Sequence, residues 1–170
     1  MPARVKVCIS REFATWATNR TSPVIGYLRA LARNLHLELG GPGVGAIGMC
    51  FSGGFALAMM VDDTVAAPVL SQPSLPFAVG TARGANLGLS PDDALVVAER
   101  AADGCPVMGL RFVDDKFVGT RFETLRTLLG GAFRPEEYPS VKKTDHSVLT
   151  EQRQDDAVAK VLAFLHERLD

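Results

Sequence analysis

The sequence predicts an α/β domain, in which a mostly parallel sheet is covered by helices on both faces. Three observations lead there. Short apolar runs at Val44–Met49, Val65–Leu70 and Pro106–Phe112 read as buried strands. Segments with helical spacing alternate with them. At Cys50 the first run stops, small residues crowd the break, and helical spacing begins at Phe55.

With 170 residues, 47% hydrophobic and 22% charged, the chain suits one globular domain spanning 1–170. Its 18 basic and 19 acidic residues leave a net charge of −1, which argues against nucleic acid as a partner. No apolar run approaches the roughly 20 residues needed to span a bilayer, and Met1–Ser10 lacks the apolar core of a signal peptide. Cys8, Cys50 and Cys105 are an odd number at no metal-like spacing. They favour free thiols in a reducing compartment, so a cytoplasmic protein without a metal is expected.

Val5, Val7 and Ile9 alternate as a strand would, while Val5, Ile9, Phe13 and Trp16 also fit one helical face. Arg4–Trp16 therefore stays ambiguous; Arg11 and Glu12 within it read as a solvated pair, with a role at a site mouth as the alternative. Ser22 before Pro23 reads as an N-cap with proline at the first helical position. That helix runs to about Leu39 on the face Val24, Leu28, Leu31, Ala32 and Leu35, and Gly40-Gly41-Pro42-Gly43 ends it. Val44–Met49 follows as a strand buried on both faces. The run Gly43-Val44-Gly45-Ala46-Ile47-Gly48 also spells G-x-G-x-x-G, but a dinucleotide fingerprint follows a strand and opens a helix. These glycines do the reverse.

The helix after Cys50 ends at Asp62 and Asp63, and Val65–Leu70 is the second strand. Ser71–Ser90 carries little pattern. As a loop leaving the carboxyl end of a strand it lies where open α/β folds bind ligands, so Ser71, Gln72 and Phe77 are candidates for lining a substrate pocket. A plain connection is the alternative. Ser90-Pro91-Asp92-Asp93 starts a helix that runs through Arg100. After the strand Pro106–Phe112, the exit loop carries Asp114 and Asp115, and Thr120-x-x-Glu123 reads as the cap of a helix ending at Gly130-Gly131. Phe133–Tyr138 suggests one more strand, Lys142–Thr150 is polar loop, and Val158, Val161, Leu162, Leu165 and Leu169 mark a last helix.

The chemistry centres on Cys50. A strand that ends on a nucleophile-capable side chain and turns at once into a helix is a nucleophile elbow. The turn strains its central residue, so neighbours two before and two after must be small, here Gly48 and Ser52. Gly53 and Gly54 let the helix pack closely. The helix N-terminus favours a thiolate and supplies oxyanion donors, the Phe51 N–H first among them. An elbow centred on Ser52 is the alternative, which Gly48 as the smaller neighbour disfavours. A cysteine nucleophile needs a base, and the base needs a third group to orient it. In elbow folds these follow in the order nucleophile, acid, histidine. Cys50, one of Asp114 and Asp115, and His146 supply that order. His36 and His166 fall within helices.

At these residues the chain resembles the dienelactone hydrolase family, a cysteine-dependent branch of the α/β-hydrolases. The likeness lies in Gly48-Met49-Cys50-Phe51-Ser52-Gly53-Gly54, in Leu110-Arg111-Phe112-Val113-Asp114-Asp115-Lys116-Phe117-Val118 and in Asp145-His146-Ser147, and it extends from about Ser22 to the C-terminus. Ser52 stands where that family commonly has glycine. The resemblance picks Asp115 over Asp114 and implies a triad of Cys50, Asp115 and His146. Such a triad would hydrolyse a small lactone or activated ester through an acyl-thioester, without metal or organic cofactor. Family members usually carry further strands upstream, with a loop that gives a second oxyanion donor, and nothing before Ser22 matches it. The implied domain is an N-terminally shortened α/β-hydrolase fold whose bared sheet edge predicts a homo-oligomer. Losing that donor would make the chain a poor enzyme, so a catalytically weak homologue acting in binding or assembly is the second expectation.

Overall fold

The computed structural model describes residues 11–170. The alternation of Val5, Val7 and Ile9, and Cys8 with it, lie outside the described residues. The elements are α1 (Val24–Leu39), β1 (Val44–Met49), α2 (Gly53–Met59), β2 (Val65–Ser71), α3 (Thr81–Ala85), α4 (Pro91–Ala102), β3 (Val107–Phe112), α5 (Arg121–Leu129), β4 (Phe133–Tyr138) and α6 (Asp155–Leu169). Single 3₁₀ turns join β1 to α2 and α5 to β4. The four strands pair in chain order and all in parallel. This is an α/β fold, as the alternating pattern predicted.

Every residue of β2 and β3 is buried because both faces of these central strands are covered. One face meets α1, α2, α4 and α5 through Ile25, Ala32, Leu57, Val97, Phe122 and Leu125. On the other, Ala67, Val69, Met108, Leu110 and Phe112 meet Ala157, Val161 and Phe164 of α6. The apolar side of α6 is thus centred on these three residues rather than on Leu162, which is exposed.

β1 departs from expectation. It is half-buried, not buried on both faces, for Ile47 is 47% exposed and Met49 39%. The cause is its place at the sheet edge. Leu165 and Leu169 of α6 reach Gly45, near the start of the strand, and the rest of that face stays uncovered. Leu31 and Leu35 of α1 are likewise exposed.

Helix starts follow local chemistry only in part. Ser90 caps α4 as expected, accepting a hydrogen bond from the Asp93 N–H at 3.2 Å, with Pro91 in the first turn. Ser22 instead donates to the Phe13 carbonyl at 2.7 Å, and Pro23 occupies the cap position of α1. Thr120 makes no side-chain cap, its φ of −101° and ψ of 25° lying outside the extended conformation that Ser90 adopts, and the Glu123 carboxylate pairs with Arg111 at 3.0 Å. No described helix is long and apolar enough to cross a membrane.

Candidate active site

Parallel strands deliver their carboxyl ends to one rim, and the loops leaving β1, β3 and β4 meet there. Cys50 is the first residue past β1, and its φ of 51° puts it in the left-handed region. For a residue with a Cβ this backbone is strained. Gly48 permits it, since a Cβ there would overlap the Ser52 carbonyl oxygen. Ser52 closes the turn by donating to the Met49 carbonyl at 3.0 Å and accepting from the Met49 N–H at 3.3 Å. These bonds resolve which residue the elbow is built on: Cys50 carries the strain and Ser52 braces it. Gly53 packs against the backbone of Pro73, so its lack of a side chain serves the loop after β2.

Asp115 is buried on the β3 exit loop. Its Oδ2 accepts from His146 Nδ1 at 2.6 Å and its Oδ1 from the Phe117 N–H at 2.9 Å. Asp114, its neighbour, is exposed, and its N–H donates to Ser140. His146 lies on the loop between β4 and α6, held by the Gln152 side-chain oxygen, which accepts from the backbone N–H groups of His146 and Ser147 at 3.2 and 2.9 Å. With Nδ1 committed to Asp115, the other ring nitrogen is left for the Cys50 sulfur, and the two side chains lie near enough for each to shift the other's titration.

The charges follow. The hydrogen bond to Asp115 lifts His146 from 6.5 to about 9; burial opposes the rise and Cys50 adds to it. Burial pushes the Cys50 thiol up, yet hydrogen bonds from Ser74 and His146, the imidazolium charge and the Phe51 N–H together bring it below its ordinary value. Both shifts favour the form in which the pair's shared proton sits on the ring. A thiolate beside an imidazolium that a carboxylate orients has the parts of a covalent acyl-transfer site.

The other expected residues are placed as follows. The Phe51 N–H faces the sulfur. Ser71 and Gln72 are both buried, the serine hydroxyl bonded to the glutamine side chain, so neither lines an open surface. Phe77 is partly exposed and packs on Trp16 at 5.1 Å. Arg83 lies over that Trp16 ring. Arg111 is taken up in ion pairs with Glu123 and Glu137, and His166 is an exposed partner of Asp170. Arg11 and Glu12 are exposed.

Three residues were not anticipated. Ser74 Oγ lies 3.5 Å from the Cys50 sulfur. Gln152 holds the histidine loop. Arg121 is 1% exposed and donates to the carbonyls of Pro76, Arg83, Asn86, Phe117 and Val118, with Asp115 near enough for its charge to be felt. It ties the loop after β2 to the acid loop after β3. A serine in a loop and an arginine in a helix's first turn carry no sequence signal that separates them from surface residues.

No family model, curated protein or solved structure matches the chain.

Proposed function

We propose that this protein is a dienelactone hydrolase-like thiol hydrolase that cleaves a small lactone or carboxylic ester, and that it works in the cytoplasm. The single observation that carries the reading is the His146 ring, bonded through Nδ1 to Asp115 at 2.6 Å and close enough to the Cys50 thiol for each to shift the other's titration. Histidines that merely cap a turn do not join a carboxylate to a cysteine held in a strained elbow.

The reaction would run in two halves. The Cys50 thiolate attacks the carbonyl carbon, a carbon–sulfur bond forms, and the carbonyl π electrons move to oxygen. As the tetrahedral adduct collapses, the carbon–oxygen ester bond breaks and the leaving alkoxide takes the proton from His146. The neutral ring then accepts a proton from water as that water attacks the thioester, and the thiolate leaves. Asp115 keeps the ring in one tautomer and stabilises its charged form throughout.

The test is turnover of p-nitrophenyl esters. Activity should vanish in Cys50→Ala and His146→Ala and survive Cys8→Ala; equal activity in wild type and Cys50→Ala would refute the reading. A second reading, binding or assembly without catalysis, draws on the uncovered Ile47 and Met49 at the β1 edge. Under it, Cys50 would be alkylated by iodoacetamide no faster than an ordinary thiol.

A further inference from the structure

Resting on the hydrolase reading, we propose that Ser74 is a catalytic residue of this site: its hydroxyl holds the Cys50 thiolate at rest and passes its hydrogen bond to the substrate's carbonyl oxygen as the sulfur is acylated.

The argument starts from position. Ser74 is 6% exposed, and its Oγ lies 3.5 Å from the Cys50 sulfur, within reach for a hydrogen bond to sulfur. The placement is held from both sides. The Ser74 N–H donates to the Cys50 carbonyl at 3.0 Å, and Pro73, one residue earlier, packs so tightly on Gly53 that a Cβ there would run into it. Loop and elbow therefore form one unit, and the Ser74 backbone cannot drift from the elbow without breaking one of these contacts.

The state of the sulfur decides which way this hydrogen bond runs. With the proton on His146, the sulfur is an anion and the hydroxyl must donate. It is then one of three groups that favour the thiolate, beside the His146 ring and the Phe51 N–H.

Acylation moves the charge. When the sulfur bonds to the carbonyl carbon, its lone pair enters the new bond and the negative charge appears on the oxygen, two bonds away. The sulfur becomes thioether-like and only a weak acceptor. A buried hydroxyl that loses its acceptor is destabilised, and the new oxyanion is the strongest acceptor within its reach. A donor aimed at the place where charge develops stabilises the transition state more than the ground state. Together with the Phe51 N–H, Ser74 would give the oxyanion two donors from within residues 50–74. No loop preceding Ser22 is then required for that purpose.

Two reactions of the same sulfur separate this role from mere support. Alkylation by iodoacetamide is a displacement at saturated carbon and forms no oxyanion, whereas acylation by p-nitrophenyl acetate does. In Ser74→Ala the midpoint of the alkylation pH profile should rise, because the thiolate has lost a donor. Above that midpoint, where both thiols are ionised, alkylation should match wild type within a few-fold while acylation slows by about 10²–10³-fold, the usual cost of one oxyanion donor. Ser74→Thr, which keeps the hydroxyl, should restore most of the acylation rate, and matching melting temperatures would show that the variants are folded. An unchanged alkylation midpoint overturns the proposal, as does slowing of both reactions by the same factor. If wild type itself is acylated no faster than Cys50→Ala, the hydrolase reading fails and the transfer of the hydrogen bond with it. The alkylation midpoint then decides the resting contact alone.

Discussion

Replacing Asp115 by Asn tests the electrostatics of the site most directly. The substitution keeps the size of the side chain and an oxygen that can accept from His146 Nδ1, and removes the negative charge at the end of a 2.6 Å hydrogen bond. His146 is held protonated up to about 9 instead of 6.5, with Asp115 the first cause. At about 1.4 kcal/mol per tenfold change, that rise represents about 3 kcal/mol in favour of the imidazolium. Burial opposes it and the thiolate contributes to it, so the share of Asp115 is of the same order. Without the charge the ring should titrate near its ordinary value and the thiolate should lose its cationic partner at neutral pH. Ester turnover near pH 7.5 is expected to fall about 10²-fold, and the NMR titration midpoint of the His146 ring should drop by more than one pH unit. Stability shifts with it. A histidine whose folded-state value is raised contributes stability that is complete below 6.5 and is lost as the pH climbs through about 9. The gap in melting temperature between wild type and Asp115→Asn should therefore be widest near pH 6 and narrow toward pH 10. A ring midpoint unmoved by the substitution would refute this account of the charged pair.

Three further outcomes follow from the packing. Gly48→Ala would drive a methyl group into the Ser52 carbonyl, so the elbow must shift; a stability loss of about 1–3 kcal/mol in urea denaturation is expected, together with loss of ester turnover. Cys50→Gly removes the side chain from a residue at φ 51°, and should raise stability by about 1 kcal/mol while abolishing activity. A lower melting temperature would show that the elbow is not strained. Arg121→Met strips five carbonyl groups of a buried donor and is expected to cost about 3 kcal/mol or more. A melting temperature unchanged from wild type would contradict the role of Arg121 in joining the two loops.

Local physics is what the sequence states openly. Apolar runs and helical spacing set the order of strands and helices because burial along one segment follows from its own periodicity. The elbow was legible for the same reason: the strain at Cys50 and the need for Gly48 arise within a few residues of chain. The identity and order of Cys50, an exit-loop aspartate and His146 were also present, since topology alone sends those loops to one rim. What lay beyond reach depended on segments far apart in the chain. From residues alone, Asp114 and Asp115 are equivalent turn formers, and the resemblance to known hydrolases had to choose between them; the fold distinguishes them physically, because the loop 31 residues later brings His146 to Asp115. Ser74 meets Cys50 across 24 residues, and Arg121 joins loops up to 45 residues upstream of it. β1 read as fully buried because its composition resembles that of β2, yet only the stacking of α6 over the middle of the sheet leaves Ile47 and Met49 in the open. Periodicity reports how much of a residue is hidden, whereas the assembled chain decides what it is hidden against.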